Sequence, residues 1–229
     1  MQFKKLISDR RFTLVVSLPA NNRDLVKAAL AGGAQAIKVH LNVWHRASGN
    51  TFGGFTANRD FMEDLIKLAG AVPVGLVPGG EDAFISPGEL QALEALGLDF
   101  FSAYSHHLPV FMMKSRLSKM VAIDYTYTGN TLDAVRDSPI DVLEASIMGG
   151  DQYGKPLRYA DILQYGDVAA KTKKPVLIPT QKKILPEETG ALFEAGCRAI
   201  MIGAIVMGKG SPGECEKAAA AFRREIDAL

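Results

Sequence analysis

The sequence predicts an α/β fold, a (β/α)8 TIM barrel that forms a single domain over residues 1–229. Eight apolar segments of strand length alternate with eight segments of helical pattern, and no low-complexity linker divides them. The chain also repeats itself, because Pro73–Pro78 returns about a hundred residues later as Pro175–Pro179. In both copies a buried strand is followed by a turn, a proline-started helix, a glycine and another strand, which predicts repeated βαβ units.

The predicted strands are mostly continuous runs of Val, Ile, Leu and Phe rather than strict alternations of apolar and polar residues. Such runs are typical of parallel strands that are covered by helices. The eight strands are Phe12–Leu18, Gln35–Leu41, Val72–Val77, Phe100–Ala103, Met120–Asp124, Val142–Ser146, Val176–Pro179 and Ala199–Gly203.

A helical pattern follows each strand, and several of these helices begin at a cap or a proline and end at a glycine, as from Ser86-Pro87 to Gly97. An open doubly wound sheet would show the same alternation. The first strand is followed by Ser17–Asn21 and not by Gly-x-Gly-x-x-Gly, which counts against that alternative. The predicted helices are Arg23–Ala31, Arg59–Ala69, Pro87–Leu96, Pro109–Leu117, Thr131–Asp137, Tyr159–Lys171, Pro186–Glu194 and Gly213–Ile226.

Composition narrows the possible partners. The 26 basic and 25 acidic residues leave a net charge of +1, so we expect neither nucleic acid nor a membrane as partner. No apolar run reaches the roughly 18 residues of a spanning helix, and the first residues lack the apolar core of a signal peptide. We therefore expect a cytoplasmic protein without a cofactor, in which Cys197 and Cys215 are reduced structural thiols.

The loops that follow the strands form the active face of a (β/α)8 barrel. Four of them carry glycine clusters, which serve either as plain turns or for close backbone approach to a ligand. The longest loop, Asn42–Ala57, contains Trp44, His45 and Arg46. We interpret it as a lid or a wall of the pocket, and a subunit contact in a homodimer is the alternative.

Strand parity places polar side chains inside the barrel. If Ile37, Val39 and Leu41 face the helices, then Lys38, His40 and Asn42 point inward. The same parity places Asp124 and Glu144 on the inside. A buried lysine needs a partner, so we expect an ion pair of Lys38 with Glu144 or Asp124, either as a structural plug or as acid/base machinery.

Further candidates stand at the ends of other strands. Ser17 and Tyr104 could orient a hydroxylated ligand or merely satisfy turn backbone. With Asn42 and His106 they form the predicted substrate-binding set. His106 and His107 could join His40 and a carboxylate around a divalent metal, although no metal-binding spacing supports such a site and we expect none. A Ser–His–Asp triad stays open, but no Gly-x-Ser-x-Gly motif is present.

The end of the chain offers a phosphate site. In barrels, the loops after the seventh and eighth strands often hold phosphate with backbone N–H groups and a short helix N-terminus. A solvated basic turn is the alternative interpretation. The residues that we assign to phosphate binding are Lys182, Gly203, Gly208, Lys209, Gly210 and Ser211.

From Thr13 to Gly208 the chain resembles the bacterial N-acetylmannosamine-6-phosphate 2-epimerases, within the ribulose-phosphate-binding barrels. The resemblance is carried by Val16-Ser17, Gly32–Lys38, Pro73–Gly75 with Phe84–Pro87, Ala122–Asp124, Ile184–Glu187 and Ile202–Ile205. It implies that Lys38 replaces a ligand-binding arginine and that Asp124 lies within one residue of an aspartate of the family. The places of the family's catalytic lysine and glutamate read Val77–Gly79 and Ile178–Thr180 here, and proline transfers no proton.

Together these observations predict an enzyme that acts on a small phosphorylated carbohydrate or related metabolite. The predicted reaction is an isomerisation or epimerisation through an enolised carbonyl, with Lys38 and a carboxylate at its centre and His40, Asn42 and Tyr104 around them. A lyase or aldolase that uses Lys38 as a Schiff-base nucleophile, and a barrel that binds a ligand without catalysis, are the alternatives.

Overall fold

The computed structural model describes residues 1–229 and shows a closed barrel of eight parallel strands. The first strand pairs with both the second and the last barrel strand, so an open sheet is excluded and the predicted (β/α)8 fold is confirmed. In chain order the strands are β1 (Thr13–Ser17), β2 (Ala36–His40), β3 (Val43–His45), β4 (Asn50–Phe52), β5 (Val74–Val77), β6 (Phe100–Tyr104), β7 (Ser118–Ile123), β8 (Val142–Ala145), β9 (Val176–Pro179) and β10 (Ala199–Ile202). All except β3 and β4 belong to the barrel, and those two form an antiparallel hairpin.

Most helices lie where the sequence predicts them, because their caps are present. Asn22 accepts hydrogen bonds from the backbone N–H groups of Asp24 and Leu25, and Ser86 forms a capping box with Glu89. No helix is both long and apolar enough to cross a bilayer. The helices are α1 (Gln2–Asp9), α2 (Arg23–Ala31), α3 (Phe55–Ala69), α4 (Pro87–Leu96), α5 (Gly129–Asp137), α6 (Tyr159–Thr172), α7 (Thr189–Glu194), α8 (Ala204–Met207) and α9 (Pro212–Asp227).

One predicted helix is wrong. Pro109–Leu117 holds only a 3₁₀ turn at Val110–Lys114. The chain turns at Ser105–His107 after β6, and β7 begins at Ser118 rather than at Met120. The segment between them forms a single 3₁₀ turn, a form that is common in connections.

Helix α1 closes the end of the barrel at which the strands begin, a feature that the sequence did not reveal. The carboxylate of Asp99, directly before β6, accepts hydrogen bonds of 2.7 Å from the backbone N–H groups of Gln2 and Phe3. Phe3 and Ile7 are buried in the core inside the barrel, and the ring of Phe3 stacks on Phe100 with 3.8 Å between centroids. The floor of the barrel is therefore apolar and sealed.

Gly75 of β5 makes room for the Phe100 ring. A methyl group at position 75 would lie 2.1 Å from ring carbons of Phe100, far inside van der Waals contact. We expect Gly75→Ala to lower the free energy of unfolding by about 2 kcal/mol or more, measured by urea denaturation.

Gly88→Ala is the matched control, because nothing lies within 4 Å of its added methyl group in α4. This variant should be neutral or slightly more stable. The double variant Gly75→Ala/Phe100→Leu should recover part of the loss, and equal stability of Gly75→Ala and the wild type would contradict the steric argument.

Candidate active site

A cavity of about 430 Å³ opens at the C-terminal ends of the barrel strands. The β3–β4 hairpin, which lies within the predicted lid, contributes Val43, Trp44, His45 and Arg46 to its wall. The loops after β5, β8 and β9 line the remaining sides. This is the end at which barrel enzymes carry their active sites.

The floor of the cavity is an ion pair. Lys38 Nζ lies 3.6 Å from Glu144 Oε2, and the two residues are only 5% and 6% exposed. The hydroxyl of Ser102 donates to Glu144 Oε2, and that of Ser146 donates to Glu144 Oε1 at 2.9 Å. Three partners thus satisfy a carboxylate that would otherwise be costly to bury.

Barrel geometry explains why these side chains meet. Lys38, Ser102 and Glu144 come from the second, fourth and sixth strands around the barrel. Alternate strands contribute the side chains of one interior layer in this fold, so residues far apart in sequence touch across the interior. The expected Lys38–Glu144 contact is present, while its catalytic role stays a prediction.

Burial lowers the pKa of Lys38, and the nearby Glu144 carboxylate opposes the shift only in part. The direction follows from desolvation, which disfavours the ammonium form. A lysine whose pKa moves towards neutrality can serve as a proton acceptor, a proton donor or a nucleophile.

Two histidines pack beside this pair. The ring of His40, 1% exposed, lies 4.5 Å from the ring of His45 and 4.7 Å from that of Phe52. His45 Nδ1 is 2.9 Å from the Ser48 hydroxyl. Burial lowers the pKa of His40 well below its usual value and that of His45 to about 4, so both rings are neutral at pH 7. The His40 Nδ1 atom has no partner in the protein.

Tyr104 and Tyr153 also line the cavity. Gln181 Nε2 donates to the Tyr153 hydroxyl at 2.8 Å, and Gln181 Oε1 accepts from the backbone N–H of Met148 at 3.1 Å. Burial, with Tyr153 and Glu144 nearby, raises the pKa of Tyr104, which keeps its phenol protonated. The sequence pointed to Tyr104 but not to Tyr153, because Tyr153 lies in a loop where strand parity gives no direction.

Ser17 and Asn42, two residues of the predicted substrate-binding set, line the same cavity. Their contact with a ligand stays a prediction. Asn42 has a positive φ of 51°, a conformation that asparagine tolerates better than most residues. Its Nδ2 atom donates to the Pro78 carbonyl at 3.3 Å, so the side chain ties the start of the hairpin to the loop after β5.

Asp124 and His106 lie outside the cavity. Asp124 Oδ1 accepts from the backbone N–H and hydroxyl of Thr126, and these bonds lower its pKa. This local turn directs the carboxylate away, so Glu144 and not Asp124 pairs with Lys38. His106 Nδ1 is 3.8 Å from Asp124 Oδ2, and no group of three His, Cys, Asp or Glu side chains is arranged to hold a metal ion.

Only one residue of the predicted phosphate set lines the cavity. Gly203, which donates its N–H to Thr180 Oγ1 at 3.0 Å, begins the short helix α8 there. Lys182 is buried instead, 3.3 Å from Asp161 Oδ2 and 3.2 Å from Gln152 Oε1, and so joins the loop after β9 to α6. The others lie elsewhere, Gly208 in a smaller pocket beside α9 and Lys209, Gly210 and Ser211 in the turn that begins α9.

No protein-family model and no curated protein matches this sequence. Solved structures match it in fold. A thiamine phosphate pyrophosphorylase from Pyrococcus furiosus is 14% identical with a TM-score of 0.67, over 96% of this chain and 97% of that one. KGPDC from Streptococcus mutans is also 14% identical with a TM-score of 0.67, over 96% of this chain and 99% of that one.

The tryptophan synthase A-subunit from Pyrococcus furiosus is 11% identical with a TM-score of 0.64, over 96% of this chain and 99% of that one. At such identities these likenesses show the fold alone. The resemblance to the epimerases therefore stays a prediction.

The buried pair should behave as a unit in stability measurements. We expect Lys38→Met and Glu144→Leu each to cost about 3–5 kcal/mol, because each leaves one buried charge without its partner. The double variant should cost much less than the sum, measured by urea denaturation. Lys171→Met breaks an exposed pair on α6 and should change stability by no more than about 1 kcal/mol. Additive costs in the double variant would contradict the coupling.

The hairpin histidine should make stability depend on pH. The unfolded chain protonates His45 near pH 6.5, whereas the folded protein resists protonation down to about pH 4. The unfolded state therefore binds more protons in this window, and stability falls as the pH drops through it. In His45→Gln the loss of unfolding free energy between pH 8 and pH 4 should be smaller by on the order of 2 kcal/mol. Denaturation at pH 8, 6, 5 and 4 measures this loss in both proteins. Parallel curves for the two proteins would contradict this assignment.

Proposed function

We propose that the protein is an enzyme that enolises the carbonyl group of a small phosphorylated metabolite and so isomerises or epimerises it. One observation carries the proposal, the buried Lys38–Glu144 pair at the floor of a cavity that is lined by further polar groups. Paired charges at the functional end of a barrel are the groups from which acid/base catalysts are built.

Lys38 would move the proton. Burial makes it easier for the Lys38 ammonium to release a proton to solvent; the neutral amine then takes a proton from the carbon beside the carbonyl, which restores the ammonium beside Glu144. The ammonium also stabilises the negative charge that develops on the carbonyl oxygen. It then returns the proton to the neighbouring carbon or to the opposite face of the same carbon, so no proton is gained or lost.

The surrounding groups would hold the substrate. The protonated phenol of Tyr104 and the hydroxyl of Tyr153 can donate hydrogen bonds to carbonyl or hydroxyl oxygens, while Ser17 and Asn42 bound the other side. His40 and His45 stay neutral and add no competing positive charge. Their role is to shape the site rather than to ionise.

The phosphate group would lie where α8 begins. The first turn of a helix leaves backbone N–H groups without partners inside the helix, and these favour anions. Gly203 and Ala204 border the cavity at this point, and because the N–H of Gly203 is bonded to Thr180 Oγ1, the phosphate would take the N–H of Ala204. A barrel of similar fold is named for thiamine phosphate, and this likeness supports the proposal without deciding it.

A Schiff-base lyase or aldolase is the second candidate, and the lowered pKa of Lys38 favours it. The neutral amine would attack the substrate carbonyl and water would leave as the imine forms. Carbon–carbon cleavage would then place the electron pair on the imine. Borohydride reduction with substrate separates the two candidates, since it fixes an imine to Lys38 as a stable amine that mass spectrometry detects.

The test of the proposal is proton exchange. With a panel of aldose and ketose phosphates in D₂O, we expect the wild type to introduce deuterium at the carbon beside the carbonyl, followed by NMR. Lys38→Met should slow this exchange by at least about 100-fold while thermal stabilisation by the same ligand persists. Lys183→Met, an exposed lysine outside this cavity, should exchange normally.

Equal exchange in Lys38→Met and the wild type would refute the assigned role of Lys38. Ligand binding without exchange or cleavage in the wild type would favour the non-catalytic alternative. No stabilisation by any phosphorylated compound would refute the substrate class.

A further inference from the structure

We propose that Arg46 forms a second anion subsite in the cavity and that the substrate carries a carboxylate in addition to its phosphate. This inference rests on the function proposed above and narrows its substrate to a phosphorylated hydroxy or oxo acid. The β3–β4 hairpin would then bind part of the substrate in addition to forming a wall of the cavity.

The guanidinium of Arg46 has no anionic partner. Of the lysines and arginines that line the cavity, Lys38 is neutralised by Glu144, whereas Arg46 forms neither an ion pair nor a side-chain hydrogen bond. Glu81 and Asp82 line the same cavity, yet neither carboxylate lies within 4.0 Å of Arg46. A guanidinium presents five N–H donors in a planar fork that matches a carboxylate.

Arg46 is exposed, as is Trp44 beside it. Its guanidinium carbon lies 5.8 Å from the centre of the Trp44 ring. Its Nη1 atom would lie 2.9 Å from a Cβ atom added to Gly150. The hairpin therefore reaches from β2 to the loop after β8, and the glycine there leaves space for the arginine head. An exposed guanidinium without an anionic partner keeps its N–H donors available to an anion.

The surroundings of Arg46 favour one kind of anion. Its neighbour His45 packs on His40 beside the Lys38–Glu144 pair, so Arg46 and the proposed reacting centre share one cavity. The proposed phosphate position, at Gly203, belongs to the loop after β10. Because Glu81 and Asp82 add negative charge to the wall, a singly charged carboxylate is favoured over a second phosphate at Arg46.

The experiment compares two probes that differ in one group. 3-Phosphoglycerate carries a phosphate and a carboxylate, whereas glycerol 3-phosphate carries only the phosphate, and calorimetry gives the affinity of each. For the wild type we expect 3-phosphoglycerate to bind at least about tenfold more tightly. Arg46→Gln should remove this preference and leave the affinity for glycerol 3-phosphate within about twofold.

Two further variants separate geometry from charge. Gly150→Ala keeps the arginine but pushes its guanidinium aside, so the preference should shrink. Arg224→Gln removes an arginine from the exposed face of α9, far in sequence from the hairpin, and the preference should stay as in the wild type. Circular dichroism and thermal midpoints of the free proteins verify that all variants fold.

Each other outcome refutes a defined statement. Equal affinities of the two probes for the wild type would refute the carboxylate subsite and leave the proposed function standing. A preference that survives Arg46→Gln would refute the role of Arg46. If neither probe nor any sugar phosphate binds, the inference falls together with the function on which it rests.

Discussion

The arrangement of the barrel interior depends on the buried ion pair of Lys38 and Glu144. Taking both charges out of water is unfavourable unless each finds partners, and Glu144 finds Lys38, Ser102 and Ser146. These partners lie in the upper interior, where apolar residues such as Ala122 and Met201 also line the cavity. The layers below, closed by Phe3 against Phe100, supply the hydrophobic stability that such a polar layer does not. The result is a cavity with a charged pair at its base, above an apolar layer that fills the rest of the barrel.

Much of the fold and part of the site follow from sequence periodicity. Side chains alternate between the two faces along β2 and β8, which places Lys38 and Glu144 inside the barrel. Alternate strands of a closed barrel contribute to the same interior layer, so the two residues meet. Strand alternation gives no direction for residues that lie outside regular strands. Asp124 shares the parity of an inward residue, but its hydrogen bonds to Thr126 turn it away, because a local turn overrides the strand pattern once the strand has ended.

The missed elements have a common cause in long-range contacts. Helix α1 is fixed by the carboxylate of Asp99, a residue almost a hundred positions away, and nothing in its own pattern shows where it docks. The place of Tyr153 depends on Gln181 of another loop. Lys182 looked like a phosphate ligand because it follows β9, yet its ammonium is buried against Asp161. In each case the deciding partner is distant in sequence and has no periodic relation to the residue.

The sealed floor has a kinetic consequence for any reaction above it. Because α1 fills the end where the strands begin, the cavity has a single opening, at the C-terminal ends of the strands, and the β3–β4 hairpin borders that opening. Whatever enters must leave by the same route. If the chemistry splits one molecule into two, the fragments depart in sequence, and the one nearer the mouth leaves first. Every ligand then passes the hairpin both on entry and on exit, and in many enzymes a step of this kind limits turnover.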